Sequence, residues 1–515
     1  MTGSLDAVRR ARELSEATDG RVVDLLVVGL GVTGAGVALD AASRGLSVVA
    51  VDSHDLAFGT SRWSSKLVHG GLRYLANGQV GVAHESAVER GVLMTRTAPH
   101  LTRALPMLIP LLATTSPAQG RVARAGLAAG DLLRVAARTP GSVLPRSRRL
   151  SRTEILALSP GLRSAGLRGG LLSWDGQLED DARLVTGIAR TAAARGARIL
   201  THTRVLQLSG EGAEVRDETT GSTATIRART VVNAAGVWAG GLVPDVRLRP
   251  SRGTHLVLRA SALTGLTTAV MAPVPGTSNR FVFALPQPDG AEGLVYVGLT
   301  DEPVDGDVPD VPVPSESEID FLLDVIGGAF ERPATRDDVV GAYAGLRPLL
   351  DTGAGSTADL SRRHAVLTSP DGVVTVVGGK LTTYRRMAED AVDAVLERTP
   401  LPAGPCRTKD LPLLGAAARD VLARVEGPAR LVRRYGTEAP ALLAHGRALG
   451  CDDATLLAPV VEGAATTLAE LLWGVGHEGA LDVSDLLERR TRLGLVPADR
   501  ALAVPAAERA LALHT

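Results

Sequence analysis

Cysteine is almost missing from this 515-residue chain. Only Cys406 and Cys451 occur, far apart and outside any C-x-x-C spacing, so a disulfide frame, a zinc site and an iron–sulfur cluster are all excluded. That usage fits a reducing compartment, and the cytoplasm is the expected location. Charge of one sign is also lacking: 56 basic residues face 56 acidic ones. A chain so balanced does not offer the basic field a nucleic-acid binder needs. There is no run of about 18 apolar residues, so no segment is expected to span a bilayer. Met1 to Arg21 is polar and mixed in charge, so neither a signal peptide nor a membrane anchor is expected there. The length points to two or three domains.

What is present begins with an apolar run, Val22 to Val28. The turn Gly29-Leu30-Gly31-Val32-Thr33-Gly34 follows, then a helical pattern from Val37. Gly29 permits a tight turn, Gly31 lets backbone approach a pyrophosphate, and Gly34 lets the helix pack close to its strand. A second apolar run, Leu46 to Val51, ends at Asp52, about 20 residues beyond Gly29, where an acid can bind a ribose hydroxyl. A glycine-rich turn alone is weak; strand, turn, helix, strand and acid together predict a dinucleotide site.

Farther along, helix is expected at 86–99, 315–330 and 381–397, and helix followed by strand over 181–200. Alternating residues from 247 to 300 predict an antiparallel sheet. Buried strands end at Asn233-Ala234-Ala235-Gly236 and at Gly378-Gly379. Between Ala113 and Arg152, eight arginines (121, 124, 134, 138, 146, 148, 149, 152) meet one acid, Asp131, with Leu127, Leu132, Leu133 and Val135 at helical spacing. An arginine-rich amphipathic helix can lie on an anionic membrane surface, each base contributing about 1 kcal/mol; it can equally turn its apolar stripe to the core. Prolines 400, 402 and 405 mark a linker. The expected division is a tail with helical tendency at 1–20, an α/β nucleotide domain at 21–399 and an α-helical domain at 400–515. A substrate part is interleaved in the second, at roughly 86–160 and 245–345.

The run Gly59-Thr60-Ser61-Arg62-Trp63-Ser64-Ser65-Lys66-Leu67-Val68-His69-Gly70-Gly71-Leu72-Arg73-Tyr74 resembles the signature of the FAD-dependent glycerol-3-phosphate dehydrogenases. Trp174-Asp175, Asn233 to Trp238, Gly253-Thr254-His255, Gly345 to Leu349, Gly378 to Arg385 and Leu486 to Gly494 match the same pattern in order, over about residues 20–500. Leu299 and Gln287 depart from it, and Asp52 stands where Glu is common.

The resemblance implies a Rossmann-type FAD-binding α/β fold of the glutathione-reductase and D-amino-acid-oxidase type, with an antiparallel-sheet substrate domain and a helical C-terminal domain. FAD is then expected to be held by Gly29, Gly31, Gly34, Asp52, Thr60, Ser61, Ser64, Ser65, Lys66, His69, Gly70, Gly71, Val205, Ala235, Gly236, Trp238, Gly379, Lys380, Leu381 and Thr382. The expected reaction takes sn-glycerol 3-phosphate to dihydroxyacetone phosphate, with hydride passing to flavin N5 and electrons going on to a quinone. Oxygen as acceptor, or an amine or 2-hydroxy-acid oxidase of the same fold, is the alternative.

Such chemistry needs a base for the hydroxyl proton and fixed cations for a phosphate. Arg73, Tyr74 and Arg363 are the expected substrate contacts, with Arg362 ranked beside Arg363. Lys380, at a helix start after two glycines, can face the flavin or the phosphate. Arg347, between Gly345 and Pro348, is expected near the reacting hydroxyl. His255 is the first candidate base, since an ordinary imidazole pKa near 6.5 suits proton abstraction; His69 competes with it. No metal is expected. The partners implied are the phosphate ester, a quinone or other acceptor and an anionic membrane surface at the inner face of the cytoplasmic membrane. A homodimer is compatible with the reading.

Overall fold

A computed structural model describes residues 3–71, 74–75, 78–113, 115, 117–277, 280–287, 293–351 and 363–514, with the side chains of 117–119 left aside. Arg73 and Arg362 lie outside the described residues.

The first sheet is built around Val22–Val28, whose Leu25, Leu26 and Val27 are fully buried. A strand covered on both faces reads as continuous apolar sequence, and this one does. It pairs in parallel with Val48–Val51 on one side and Thr223–Asn233 on the other. Arg198–Leu200 and Val374–Gly378 extend the parallel order outward. Register sets Val28 opposite both Val51 and Asn233, so the turns at Gly29, Asp52 and Ala234 leave the same sheet edge. In open parallel sheets that edge is where ligands bind. The helix Val32–Ser43 starts there and is flanked by the helices Asp181–Ala194 and Tyr384–Arg398. Beside the parallel strands, Thr203–Ser209 and Gly212–Asp217 form an antiparallel pair.

The second sheet is mostly antiparallel. Ser251–Arg259 lies between Leu294–Gly298 and Val339–Arg347, with Gly253 facing Gly345. Thr102–Pro110 pairs with Gly170–Leu178. The basic segment departs from a single helix. Pro117–Ala136 is helical, but a strand at Arg148–Leu150 and a helix at Arg152–Leu158 take the later arginines. Arg134 is buried and donates to the Thr139 carbonyl at 3.0 Å.

The expected N-terminal tail is structured. Ala7–Ala17 is a helix capped by Asp6, and its Arg10 is buried against the Thr201 carbonyl and Asp217. The C-terminal helices are joined to the nucleotide sheet by buried ions: Asp55 accepts from Arg489 at 2.8 Å and from Arg490 at 2.6 and 2.7 Å.

Three imidazoles run in series beside these helices. His514 Nδ1 must donate to the Ala510 carbonyl at 2.8 Å, so its Nε2 accepts from His445 Nε2–H at 3.0 Å. His445 Nδ1 then accepts from His477 Nε2–H at 3.3 Å, and the Ser4 hydroxyl donates to His477 Nδ1 at 2.8 Å. With these tautomers a second proton on His445 would face the His477 Nε2–H donor. Burial, then His445 and Arg190, push His477 down to about 4 against the pull of Glu478 and Asp6. Burial, then His514, lower His445. A depressed folded pKa means the unfolded chain binds more protons below about 6.5, so this stability is complete above that pH and is lost as pH falls toward 4. The melting temperature is therefore expected to drop by about 2 °C or more between pH 7 and 5. His477→Gln should flatten that acid limb, as read by scanning calorimetry.

Candidate active site

One cavity of ≈ 1170 Å³ runs from the parallel-sheet edge into the second sheet. It exceeds the ~300–1,000 Å³ of ordinary ligand pockets and has room for a dinucleotide and a small substrate. Gly29, Gly31, Asp52, Val205, Ala235, Gly236, Trp238 and Gly379 to Thr382 line it. The glycine turn fits a pyrophosphate. Gly29 has φ +101°, and a Cβ on it would fall 2.6 Å from the Ala234 carbonyl. A Cβ on Gly34 would overlap the Gly29 carbonyl, so Gly34 serves by seating the helix rather than by lining the cavity. Ser61 Oγ accepts from Val32 N at 2.8 Å, tying the Gly59–Arg62 loop to the helix start. Asp52 accepts from Leu30 N at 2.6 Å and His54 N at 2.9 Å. Burial outweighs those bonds and lifts it to about 6. Thr60 donates to the Leu346 carbonyl at 2.6 Å and Thr382 accepts from His69 N at 3.1 Å. The two sheets are thereby stitched together around the cavity.

Beyond this cradle lie the charged groups. Lys380 Nζ hydrogen-bonds Ser86 Oγ and sits 4.0 Å from the Tyr74 ring centroid, a cation–π contact. Arg347 donates to Ser251 Oγ at 3.1 Å, Asp301 at 3.0 Å and the Thr300 carbonyl at 2.9 Å. Its guanidinium is thus fixed from behind. His69 Nδ1 is 3.4 Å from Asp175, which also accepts from Arg90 at 2.7 Å and Gly70 N at 3.1 Å. Burial would raise Asp175, but Arg90 and His69 hold it down to about 2. It is a carboxylate at any working pH, and it orients the His69 ring, whose side chain is 44% exposed into the cavity.

Several expectations are corrected. Lys66 does not face the cavity: its Nζ is buried, 2.9 Å from Asp181 and 2.6 Å from the Arg62 carbonyl. Ser64 also turns to Asp181, at 2.7 Å, although it still edges the cavity. Ser65 Oγ bonds His255 Nε2 at 2.8 Å. His255 lines the cavity but does not keep an ordinary pKa; burial, then Lys66 and Arg347, push it down to about 3. Arg363 is exposed and is not among the cavity-lining residues. Asp175 and Arg90 were missed as site residues, and so was Ser86. A lone acid in the apolar strand Gly170–Leu178 was the available signal for the first.

A dinucleotide cradle opening onto fixed cations and a carboxylate-backed imidazole defines a flavoprotein oxidoreductase. The FAD dependent oxidoreductase family matches residues 24–385, and the C-terminal domain of alpha-glycerophosphate oxidase matches 406–513. Glycerol-3-phosphate dehydrogenase 1 of Mycobacterium tuberculosis is 53% identical over 98% of each chain. Glycerol-3-phosphate dehydrogenase 2 of the same organism is 36% identical over 92% of this chain and 81% of that one. The FAD-complexed glycerol-3-phosphate dehydrogenase from Bacillus halodurans superposes with a TM-score of 0.73 at 28% identity, covering 99% of this chain and 94% of that one. The chain belongs to the FAD-dependent glycerol-3-phosphate dehydrogenase family, and FAD is its cofactor. Among the described residues no helix is long and apolar enough to cross a membrane.

Proposed function

We propose that this enzyme oxidises sn-glycerol 3-phosphate at C2 to dihydroxyacetone phosphate and delivers the electrons to a quinone at a membrane surface. The observation that carries the reading is the convergence of Lys380, Arg347 and the Asp175-backed His69 on one cavity with the glycine cradle. Bound FAD supplies the two-electron oxidant for the C2 hydride. Lys380, with Arg73, binds the phosphate; Arg363, outside the cavity, has no part in it. Arg347 donates to the C2 oxygen as it becomes a carbonyl, and its ties to Asp301 and Ser251 keep it aimed.

The hydroxyl proton goes to His69 in this reading. Asp175 steadies the imidazolium that forms, whereas protonating His255 would place a charge in a buried site beside Lys66 and Arg347. His255 instead stays neutral and positions Ser65. His69→Asn is expected to cut kcat by about 10²–10⁴-fold, and His255→Asn by far less. Stopped-flow rates of flavin reduction measure both.

The decisive experiment is anaerobic addition of sn-glycerol 3-phosphate to the FAD-loaded enzyme. Loss of visible flavin absorption, with glycerol and lactate inert, supports the reading; no loss with flavin plainly bound overturns it. Re-admitting a quinone or oxygen then identifies the acceptor. Arg121, Arg124 and Arg138 are exposed on or just beyond the basic helix, which supports contact with an anionic membrane.

A further inference from the structure

The run Leu486 to Gly494 has no place in the site described so far, because none of its residues lines the cavity. Its charged side chains nevertheless reach the back of the cavity's nucleotide end. Leu486–Arg490 is one turn of π-helix, closed where Thr491 N donates to the Leu486 carbonyl at 3.0 Å. Such turns are rare and recur at functional sites. From this one, Glu488 accepts from Arg62 at 2.7 Å, and Arg489 and Arg490 donate to Asp55. Asp485, just before it, lies 3.2 Å from His202 Nε2. A Cβ on Gly494 would fall 2.8 Å from Glu488 Cγ, so the glycine leaves room for that side chain. Asp55 and Arg62 stand near the two ends of a strip that walls the cavity through His54, Phe58, Gly59 and Ser61. The strip holds only a short turn of 3₁₀ helix, Thr60–Arg62, and its Ala57 sits at φ +59°, which an L-residue seldom adopts. A segment so poor in regular structure keeps its shape through ties from outside. Asp55, Arg62, Arg489 and Arg490 are all buried; buried ion pairs add little net stability over an apolar replacement, but they can fix one geometry.

We infer that this turn braces the FAD site from behind. The C-terminal helical domain holds the wall of the adenosine end in its binding shape, and cofactor retention depends on side chains that do not line the cavity. The end is identified by Asp52, the acid placed for a ribose hydroxyl, which accepts from His54 N at 2.9 Å. His54 stacks on Phe58 with ring centroids 3.7 Å apart. The guanidinium carbons of Arg62 and Arg489 lie 5.1 and 5.7 Å from the Phe58 centroid. Movement of the turn is therefore passed to the wall by the charge pairs at Asp55 and Arg62 and by the cations beside Phe58. Coupling of this kind is reciprocal: FAD in the cavity steadies the turn, and loosening the turn loosens FAD. Only FAD is needed for it, whichever substrate and acceptor the enzyme uses.

Glu488→Gln provides the test, because the Glu488 side chain is 25% exposed and glutamine keeps its shape while taking the carboxylate away from buried Arg62. In the full chain stripped of flavin, calorimetric titration is expected to give an FAD affinity about tenfold weaker than wild type, an ordinary scale for coupling between separate sites. Arg62→Met should weaken FAD as well, and the double variant no more than the worse single one, because both remove the same contact. Arg447→Met, which breaks an exposed pair with Asp453 in the same domain, should bind FAD as wild type does. Hydrogen exchange supplies a second measurement. Adding FAD to the flavin-free wild-type chain should slow exchange at the amides of 486–491, and Glu488→Gln should lose that protection. Wild-type FAD affinity in Glu488→Gln, additive losses in the double variant, or exchange at 486–491 indifferent to FAD overturns the brace. Should Glu488→Gln fail to fold, the exchange of the wild-type chain decides alone.

Discussion

Gly34→Val is expected to give protein that folds but is isolated without flavin. The helix Val32–Ser43 lies so close to the turn before it that a Cβ at position 34 would overlap the Gly29 carbonyl and come within 3.3 Å of Ala234 Cβ. Backbone atoms hold the first contact, so no side chain can rotate away; the helix must move. Its N-terminus then no longer meets the Gly29–Gly31 turn in the geometry that presents amides and dipole to a pyrophosphate. A displacement of about 1 Å at such a site costs on the order of 100-fold, and valine demands at least that. Calorimetric titration with FAD, and the ratio of flavin to protein absorbance after purification, measure the loss. Gly187→Ala is the control, because its Cβ would make only an ordinary 3.8 Å contact with Leu413. Flavin retained at wild-type affinity in Gly34→Val would refute the cradle.

Arg347→Met should keep its flavin and lose about 10²–10³-fold in kcat/KM for sn-glycerol 3-phosphate. The guanidinium spans Ser251, Asp301 and the Thr300 carbonyl, and an unbranched thioether replaces none of those bonds. Asp301, 7% exposed, then stands without this cation in a cavity that must admit a phosphate dianion. Substrate binding and the stabilisation of the forming carbonyl are both weakened. Arg347→Lys should recover only part of the loss, because a single ammonium cannot bridge three acceptors in a plane. The saturation curve of anaerobic flavin reduction separates the binding effect from the rate effect. Unchanged kinetics in Arg347→Met would remove this residue from the reaction.

Local pattern carried far in this chain. The Gly29 turn, Asp52, the strand ending at Ala235-Gly236 and the Gly378-Gly379 step are each short-range signals, and the parallel register gathered Gly29, Asp52 and Ala234 on one edge. His255 and Lys66 were less legible. Their residue types suggested chemistry, but a base is defined by its surroundings. His255 is desolvated between Lys66, Arg347 and the Tyr343 ring, and Lys66 is drawn inward by Asp181, over 100 positions away in the chain. Arg363 sat in a promising segment and emerged on the surface.

The sequence by itself determined the cofactor cradle and the family, because glycine turns, caps and strand periodicity are written within a few residues of one another. Only the tertiary structure decided which imidazole meets a carboxylate, which arginine is braced toward the cavity and which face of the basic helix roofs it. Those outcomes depend on burial and on charges brought together from distant strands, as when Asp175 meets His69 and Arg90. Such pairings change a side chain's protonation and direction without leaving any periodic mark in the chain.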